Sequence, residues 1–321
     1  MSFPNVTDIV ATTIEKRSRK IANNVEKNNA VLAQLRKKGN IRTVSGGAII
    51  FEELDFAENA NVAWYSGYDQ LSVAAQDVIS AAQFSFKQLA CPVVISGLEM
   101  LQNSGEEAFI DLLEGRIKTA ERTMANNLTN GIYSDGTGSG GKILTGLQAA
   151  VAQSPTTGTY GGINRATWTF WRNYATGSLG AQSATTIQPN MNTTWANLVR
   201  GKDKPTLILF DNNLWGFYMA SLQSIQRFTD PEMAELGFDN VKFMSAPVVL
   251  DGGIGGFCPT NVGFFLNTNY IFLRPHKDRD MVPLNPSRRW SFNQDAEAEI
   301  LAWAGNLTTS NASLQGYFQG S

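Results

Sequence analysis

The strongest alternation of hydrophobic and polar positions lies between residues 104 and 131, where it predicts one long helix. Ser104 and Glu107 have the spacing of a capping box, in which each side chain bonds the other residue's free backbone N–H. Acidic residues lie in the first turns (Glu106, Glu107 and Asp111) and the bases Lys118 and Arg122 lie further on, as the helix dipole favours. Gly131 is predicted to end the helix, which would be about 40 Å long. Apolar residues recur on one face at steps of three and four: Ile110, Leu113, Ile117, Ala120, Met124 and Leu128.

Two earlier segments have too little apolar surface to form a core of their own. Residues 6–38 have helical periodicity with sparse apolar positions, and Gly39 is predicted to end that helix. We therefore predict an arm that packs on a neighbouring molecule. Residues 46–89 predict a long antiparallel excursion whose strands are joined by a polar tip, followed by a strand over 91–95 and a short turn-helix over 96–103. Such a hairpin needs a partner to be stable.

The rest of the chain predicts a compact α/β section followed by returning strands. Residues 132–142 are predicted to be a loop, 143–151 to contain a short helix, and 176–192 to form a polar surface loop without periodicity. Helices are then predicted at 195–199 and 212–227. Strands are predicted at 205–210, at 241–250 with a break at Pro247, and at 262–266, 270–273, 288–292, 296–303 and 314–318.

Composition and charge narrow the class of protein. Only 17% of the 321 residues are charged, 43% are hydrophobic, and neutral polar residues are plentiful. Such a composition suits a protein whose surface is covered by copies of itself. No apolar run approaches the ~18 to 20 residues that span a membrane, and no secretory signal is expected. Cys91 and Cys258 are predicted to be reduced, buried small hydrophobes.

Basic residues are concentrated in the first part of the chain. Residues 1–45 carry nine Lys and Arg residues against three acids, although the whole chain has a net charge of −2. A basic arm can contact nucleic acid or an acidic partner. A solvated helix face would produce the same composition, so both interpretations stay open.

One glycine-rich segment, Gly136–Lys142, has the glycine and lysine spacing of a phosphate-binding loop. The next residue is Ile143, where such loops need a Ser or Thr to coordinate Mg²⁺. The segment also follows a predicted helix rather than a strand. We therefore interpret it as a flexible glycine turn, and a nucleotide-binding enzyme that uses it remains only an alternative.

The other candidates for chemistry are weak. His276 is the only histidine, which excludes the common metal clusters and schemes that need a second His. It is predicted to be solvent-exposed. The carboxylate pairs Asp278 with Asp280 and Glu52 with Glu53 lack a pocket-forming pattern, and residues 251–256 lack the GxGxxG order. Arg288 and Arg289 beside Trp290 could stack on a base or form salt bridges. We predict no enzyme activity and no catalytic, cofactor-binding or metal-binding residues.

The order of these segments resembles the major capsid proteins of tailed bacteriophages. The stretches that carry the resemblance are the long helix running into Asn-Gly-Ile-Tyr-Ser-Asp-Gly-Thr-Gly138, then Ile143–Leu147, Gly161–Arg165, and Trp168 with Trp171-Arg172-Asn173. The resemblance covers the chain from about residue 40 onwards. It implies an α+β fold of the Hong Kong 97 type, with an N-terminal arm, an extended β loop, a peripheral domain with a long spine helix, and an axial α/β domain.

On this resemblance each segment has an expected place. The expected division is an N-terminal arm at 1–45, an extended loop at 46–88, a peripheral domain at 89–144 with spine helix 104–131, an axial domain at 145–268, and returning strands of the peripheral domain at 269–321. The stripe of the spine helix is expected to lie under strands near 93–95 and 296–303. The two segments with little core would find their partners in other subunits.

The resemblance also implies a function and partners. The expected protein is a structural one that self-assembles as pentamers and hexamers into the icosahedral head of a double-stranded DNA phage, in the virion and assembled in the host cytoplasm. A separate scaffolding protein, a portal, a decoration protein and non-specific contact with packaged DNA are the further partners expected, with no membrane contact. The alternative of the same fold is an encapsulin-like nanocompartment shell.

Overall fold

The computed structural model describes residues 29–102, 106–177, 179–222, 240–252, 256–284, 289–290 and 295–320. Several predictions concern residues outside this set. They are the capping residue Ser104, most of the helix over 6–38, the basic pair that contains Arg288, and part of the loop at 251–256. In the described part of the chain, no helix is long and apolar enough to cross a membrane.

The described helices are six in number, besides a kinked helical turn at Gly138–Gly141 and two 3-10 turns at Thr169–Trp171 and Thr268–Tyr270. They are α1 (Ala30–Lys37), α2 (Gly97–Gln102), α3 (Glu106–Tyr133), α4 (Leu147–Ala150), α5 (Ile187–Leu198) and α6 (Asn212–Ser221).

The described strands form two larger sheets and two hairpins. They are β1 (Ile49–Asp55), β2 (Ile79–Ser85), β3 (Lys87–Ser96), β4 (Thr159–Tyr160), β5 (Ile163–Asn164), β6 (Tyr174–Ala175), β7 (Leu207–Phe210), β8 (Asn240–Phe243), β9 (Ala246–Leu250), β10 (Val262–Leu266), β11 (Ile271–Pro275), β12 (Val282–Pro283), β13 (Arg289–Trp290), β14 (Ala296–Thr309) and β15 (Gly316–Gln319).

The first sheet is built around β14, which is 14 residues long. Strand β3 pairs antiparallel with residues 296–305 of β14. Strands β12 and β13 pair with residues in the same stretch, so they lie along its opposite edge. The end of β14 pairs with β11. Strand β3 is far from the other strands in the sequence, so the sheet joins residues 87–96 to residues 271–309.

Helix α3 lies against this sheet, as predicted. Its side chains Ile117 and Met124 are 2% and 1% exposed, and they share one hydrophobic core with Val93 and Ile95 of β3 and with Leu301 of β14. The predicted apolar stripe is therefore buried wherever its side chains are described. The side chains of Ile110 and Leu113 lie outside the described set.

Gly131 does not end the helix, contrary to the prediction. Helix α3 continues to Tyr133, and a β-carbon at Gly131 would lie 2.9 Å from Leu144 Cδ1. Glycine is needed here because the returning chain packs directly on the helix backbone, not because the backbone turns.

The segment before β1 packs within its own chain, which corrects the predicted arm for the part that is described. Asn29 caps α1 by accepting hydrogen bonds from Val31 N at 2.9 Å and Leu32 N at 3.1 Å. Leu32 and Leu35 are 1% and 0% exposed in the main core. Gly39, with φ of 68°, follows the helix as predicted. The chain then runs beside β11, with backbone bonds from residues 42 and 44 to residues 273 and 275.

The second sheet has six strands in the order β6-β15-β10-β7-β9-β8. Strands β7 and β9 pair in parallel, and β10 is antiparallel to both β7 and β15. Helices α5 and α6 share a hydrophobic core with this sheet. The last strand, β15, therefore completes this sheet, and the expectation that all strands after residue 269 return to the first sheet is wrong for β15.

Two local predictions in this part are also wrong. The polar loop predicted over 176–192 becomes helix α5 at Ile187, because Ile187, Met191, Trp195 and Leu198 form a buried stripe at helical spacing. Pro247 does not break the strand over 241–250. The break is a tight turn in which Met244 has φ of 50°, and Pro247 lies within β9.

The two sheets meet at the end of helix α3. The ring of Tyr133 lies 6.2 Å from that of Phe264 of β10, and its hydroxyl donates a hydrogen bond to Asp251, which follows β9. Burial is the main cause that raises the pKa of Asp251 above its ordinary value. Burial, with Asp251 and Asp211 nearby, also raises the pKa of the Cys258 thiol.

The raised pKa of Asp251 makes the free energy of unfolding depend on pH. A raised pKa means that the folded state binds the proton more tightly than the unfolded state does. The contribution of Asp251 to stability is therefore fully present below its unfolded pKa of 3.8, and it is lost as the pH rises through its folded pKa. We expect Asp251→Asn, which has no charge to bury, to flatten this dependence. Thermal unfolding from about pH 4 to pH 7 measures it, and an unchanged slope would contradict the assignment.

Candidate assembly surface

The hairpin of β1 and β2 carries exposed apolar side chains outside the hydrophobic core. The two strands pair antiparallel from Ile49 with Ser85 to Asp55 with Ile79. Residues 56–78 between them contain no helix or strand. Among the described residues, the hairpin is therefore a long two-stranded extension without a third strand.

One face of the hairpin is anchored on the rest of the chain. Side chains alternate in β1, so that Ile50, Glu52 and Leu54 are buried while their neighbours are exposed. In β2, Phe84 is buried against the ring of Tyr160 at 5.3 Å. Burial raises the pKa of Tyr160 to about 12.

A buried ion pair fixes the base of the hairpin to the first sheet. Glu52 accepts hydrogen bonds from Arg274 Nε at 2.6 Å and Arg274 Nη2 at 2.8 Å. It also accepts one from Thr308 Oγ1 at 2.7 Å. Glu52, Arg274 and Thr308 lie on β1, β11 and β14, so a single carboxylate joins three strands. Both side chains of the ion pair are largely shielded, with 7% and 17% exposure.

The tip of the hairpin exposes aromatic and apolar side chains among its polar residues, whereas the sequence pattern predicted a polar tip. Trp64 and Tyr68 are as exposed as in an extended chain, at 105% and 108%. Soluble monomers rarely keep a patch of this kind in water, and such patches mark surfaces that bind another molecule. The other exposed apolar side chains of the hairpin and its tip are Ile49, Phe51, Val62, Tyr65, Leu71, Val73 and Ile79.

The candidate carboxylate pairs do not form acid–base sites. Glu52 is held in the ion pair, and Glu53 points to the opposite, exposed face of β1. Asp278 lies in an exposed turn, where its backbone N–H donates to His276 Nδ1 at 3.1 Å. His276 itself is half-buried with its ring 5.8 Å from that of Phe86, so the prediction of an exposed histidine is wrong. No group of three or more metal-binding side chains occurs in the described part of the chain.

The glycine-rich segment Gly136–Lys142 has the surroundings of a turn. It follows helix α3 directly, and Asp135 accepts hydrogen bonds from both Thr137 N and Thr137 Oγ1. A lysine from outside the segment, Lys87, donates to Gly141 O, while Lys142 is exposed. These hydrogen bonds therefore stabilise the segment as a turn. Cys91 and Cys258 are free thiols that are partly buried against the main hydrophobic core.

Three comparisons with known proteins bear on the fold. No protein-family model and no curated protein matches the chain. Among solved structures, the capsid asymmetric unit of cyanophage A-1(L) is similar with a TM-score of 0.66 and 17% identity over 88% of this chain and 92% of that one. The capsid of a native GTA particle has a TM-score of 0.56 and 14% identity, covering 89% of each chain.

A third similar structure is the capsid of Myoviridae phage XM1, with a TM-score of 0.51, 12% identity, and coverage of 89% of this chain and 92% of that one. Each of these likenesses covers 88 or 89% of this chain. At such low identity they establish the architecture alone. The chain has the α+β fold of tailed-phage major capsid proteins, the Hong Kong 97 type.

Proposed function

We propose that this protein is the major capsid protein of a tailed double-stranded DNA phage and that it self-assembles into the icosahedral head shell. The observation that carries the proposal is the hairpin tip, whose Trp64 and Tyr68 are fully exposed in the single chain. Apolar surface of this kind is covered when copies of a chain associate. The likeness in fold to phage capsid subunits supports the same function.

Each segment has a role in the proposal. Residues 46–88 form the extended loop that lies over an adjacent subunit, and residues 89–144, with helix α3 as spine, belong to the peripheral domain. Residues 145–268 form the axial domain, to which we now add β15 because it pairs with β10. The other strands after residue 269 belong to the peripheral domain. Residues 1–45 are the arm, whose end at α1 is part of the subunit's own core.

Assembly into an icosahedral shell implies the proposed partners of this protein. Copies of the chain form pentamers and hexamers, since head-to-tail contacts close into rings. A separate scaffolding protein and a portal act in assembly, and a decoration protein binds outside. Packaged DNA is contacted without base-specific readout. The protein acts in the virion after assembly in the host cytoplasm, and its role is structural rather than catalytic.

Electron microscopy of the purified protein tests the proposal. We expect rings or closed shells in negative stain, formed by the protein alone or with the scaffolding protein. Protein that stays monomeric at high concentration under both conditions would contradict it. A small uniform shell filled with protein cargo would instead identify the nanocompartment alternative. ATP binding that disappears in Lys142→Ala would favour the nucleotide-binding alternative.

Changes at the hairpin tip are expected to separate assembly from folding. Trp64→Ser with Tyr68→Ser removes two aromatic side chains that contribute nothing to the subunit's core, since both are fully exposed. We expect the midpoint of thermal unfolding to stay the same, because such surface changes cost within about 0.5 kcal/mol. The yield of shells in sedimentation should fall at least about tenfold, since aromatic side chains dominate interface energies.

The control for this experiment is Gln70→Asn, another exposed position in the same tip. It should assemble like the unchanged protein. If the double aromatic variant assembles normally as well, the tip is not part of the interface between subunits.

A further inference from the structure

Among the described residues, the outer edge of strand β2 has no partner at Ala81, although Gln83 on the same edge is already bonded. The backbone N–H of Gln83 donates to Gly161 O at 2.9 Å, which shows that it points away from β1. Backbone groups alternate in direction along an antiparallel strand. The N–H and C=O of Ala81, two residues earlier, therefore also point outward, and no described residue bonds them. Ala81 is partly exposed and is one of the residues that line a groove beside the strand.

A groove of about 420 Å³ runs beside this edge. Phe56, Trp168 and Phe170 form its aromatic wall, with ring centroids 5.6 to 6.0 Å apart. Trp168 is 46% exposed although its ring is packed on one side. None of the residues that line the groove is charged. An open strand edge next to an uncharged aromatic wall fits an extended, uncharged peptide segment, since the edge provides hydrogen bonds and the wall contacts alternate side chains.

A segment with these properties occurs in the hairpin tip of the same chain. Residues 71–76, with the sequence Leu-Ser-Val-Ala-Ala-Gln, carry no charge. In an extended conformation, Leu71, Val73 and Ala75 would lie on one side of this segment. They belong to no helix or strand. Leu71 and Val73 are 49% and 95% exposed.

This segment does not fill the groove of its own chain. Asn61 holds it within the tip, by donating to Ala74 O at 2.5 Å and by accepting from Ser72 Oγ at 2.8 Å. A donor segment and an acceptor edge on different parts of one chain can be joined between two copies by a head-to-tail contact. Contacts of this type close into rings.

We propose that residues 71–76 of a second copy of this chain add as a strand to the outer edge of β2 at Ala81, with the side chain of Val73 against the aromatic wall. The inference rests on the proposed function, because it needs many copies in contact. It deepens that function by naming the segment and the edge that meet.

Amide hydrogen exchange tests the edge directly. In assembled shells the amide of Ala81 should exchange at least about tenfold more slowly than in dissociated subunits, since a new hydrogen bond protects it. Ala81→Pro removes the outward N–H without removing a bond to β1, so the subunit should unfold at nearly the same temperature while shells are lost. Proline is tolerated at strand edges. Ala81→Ser keeps the N–H and should assemble.

A cysteine pair tests the identity of the occupant. We expect Val73→Cys and Ala81→Cys, each in a chain with Cys91→Ser and Cys258→Ser, to form disulfide-linked dimers when the two variants are mixed and oxidised. Neighbouring strands bring the two Cα atoms within the ~4.4 to 6.8 Å that a disulfide needs. Neither variant alone should form this dimer.

The outcomes distinguish this inference from the proposed function. Shells in which Ala81 exchanges as fast as in free subunits would overturn the inference and leave the function standing. Protection of Ala81 without the mixed disulfide would assign the edge to another occupant and also overturn it. Failure of the unchanged protein to form any shell would overturn the proposed function itself.

Discussion

Ile117→Asp is expected to abolish folding of the subunit. Ile117 is 2% exposed at the contact between helix α3 and strand β3. Deleting a buried Ile side chain costs about 2 to 5 kcal/mol, and a carboxylate without a partner costs several more. The free energy of unfolding of a whole domain is only about 5 to 15 kcal/mol. Circular dichroism and limited proteolysis of the soluble fraction should reveal no cooperatively folded protein.

The matched control is Asn126→Asp, which adds the same charge at an exposed position of the same helix. It should unfold within about 0.5 kcal/mol of the unchanged protein. Soluble, protease-resistant Ile117→Asp would show that the helix does not depend on this face. For Glu114→Ala, on the same helix, we expect at most a disturbance of assembly.

Glu52→Gln is expected to destabilise the subunit by about 3 to 5 kcal/mol, because it leaves Arg274 charged and without its carboxylate in a shielded position. The remaining contact of the guanidinium with the ring of Phe272, at 5.0 Å, does not replace a bidentate ion pair. Denaturant unfolding of the dissociated subunit measures the change. The hairpin should also become more sensitive to protease, because the pair joins it to the first sheet.

Glu53→Gln is the control, since it removes the same charge one residue later on the exposed face of β1. Its effect should stay within about 0.5 kcal/mol. A double variant, Glu52→Met with Arg274→Met, should lose less than Glu52→Gln alone, because no unpaired charge remains buried. Equal stability of Glu52→Gln and Glu53→Gln would mean that the ion pair does not fix the hairpin.

Patterns that arise from neighbouring residues were predicted well. The long helix, the short helix near residue 147, the strands at 207–210, 262–266 and 271–275, and the hairpin excursion all have local periodicity that burial on one face demands. The missed helix α5 carried the same signal, with Ile187, Met191, Trp195 and Leu198 at helical spacing. Its polar residues and Pro189 obscured that spacing.

The candidate surface was predicted only in part. The need of the hairpin for a partner was foreseen from its small core, but its tip was predicted to be polar. Val62, Trp64, Tyr65 and Tyr68 are apolar or aromatic residues scattered among polar ones, so no periodicity marks them. Their significance comes from exposure, which depends on where the rest of the chain folds.

The sequence by itself determined most of the helices and strands and the small core of the hairpin, because these follow from side-chain spacing between neighbouring residues. Only the tertiary structure decided that Glu52 pairs with Arg274, 222 residues away. It also decided that Leu32 and Leu35 are buried in their own chain, that Gly131 admits Leu144, and that β15 joins the second sheet. Each of these is a contact between distant residues, and such contacts depend on how the two sheets pack rather than on any local pattern.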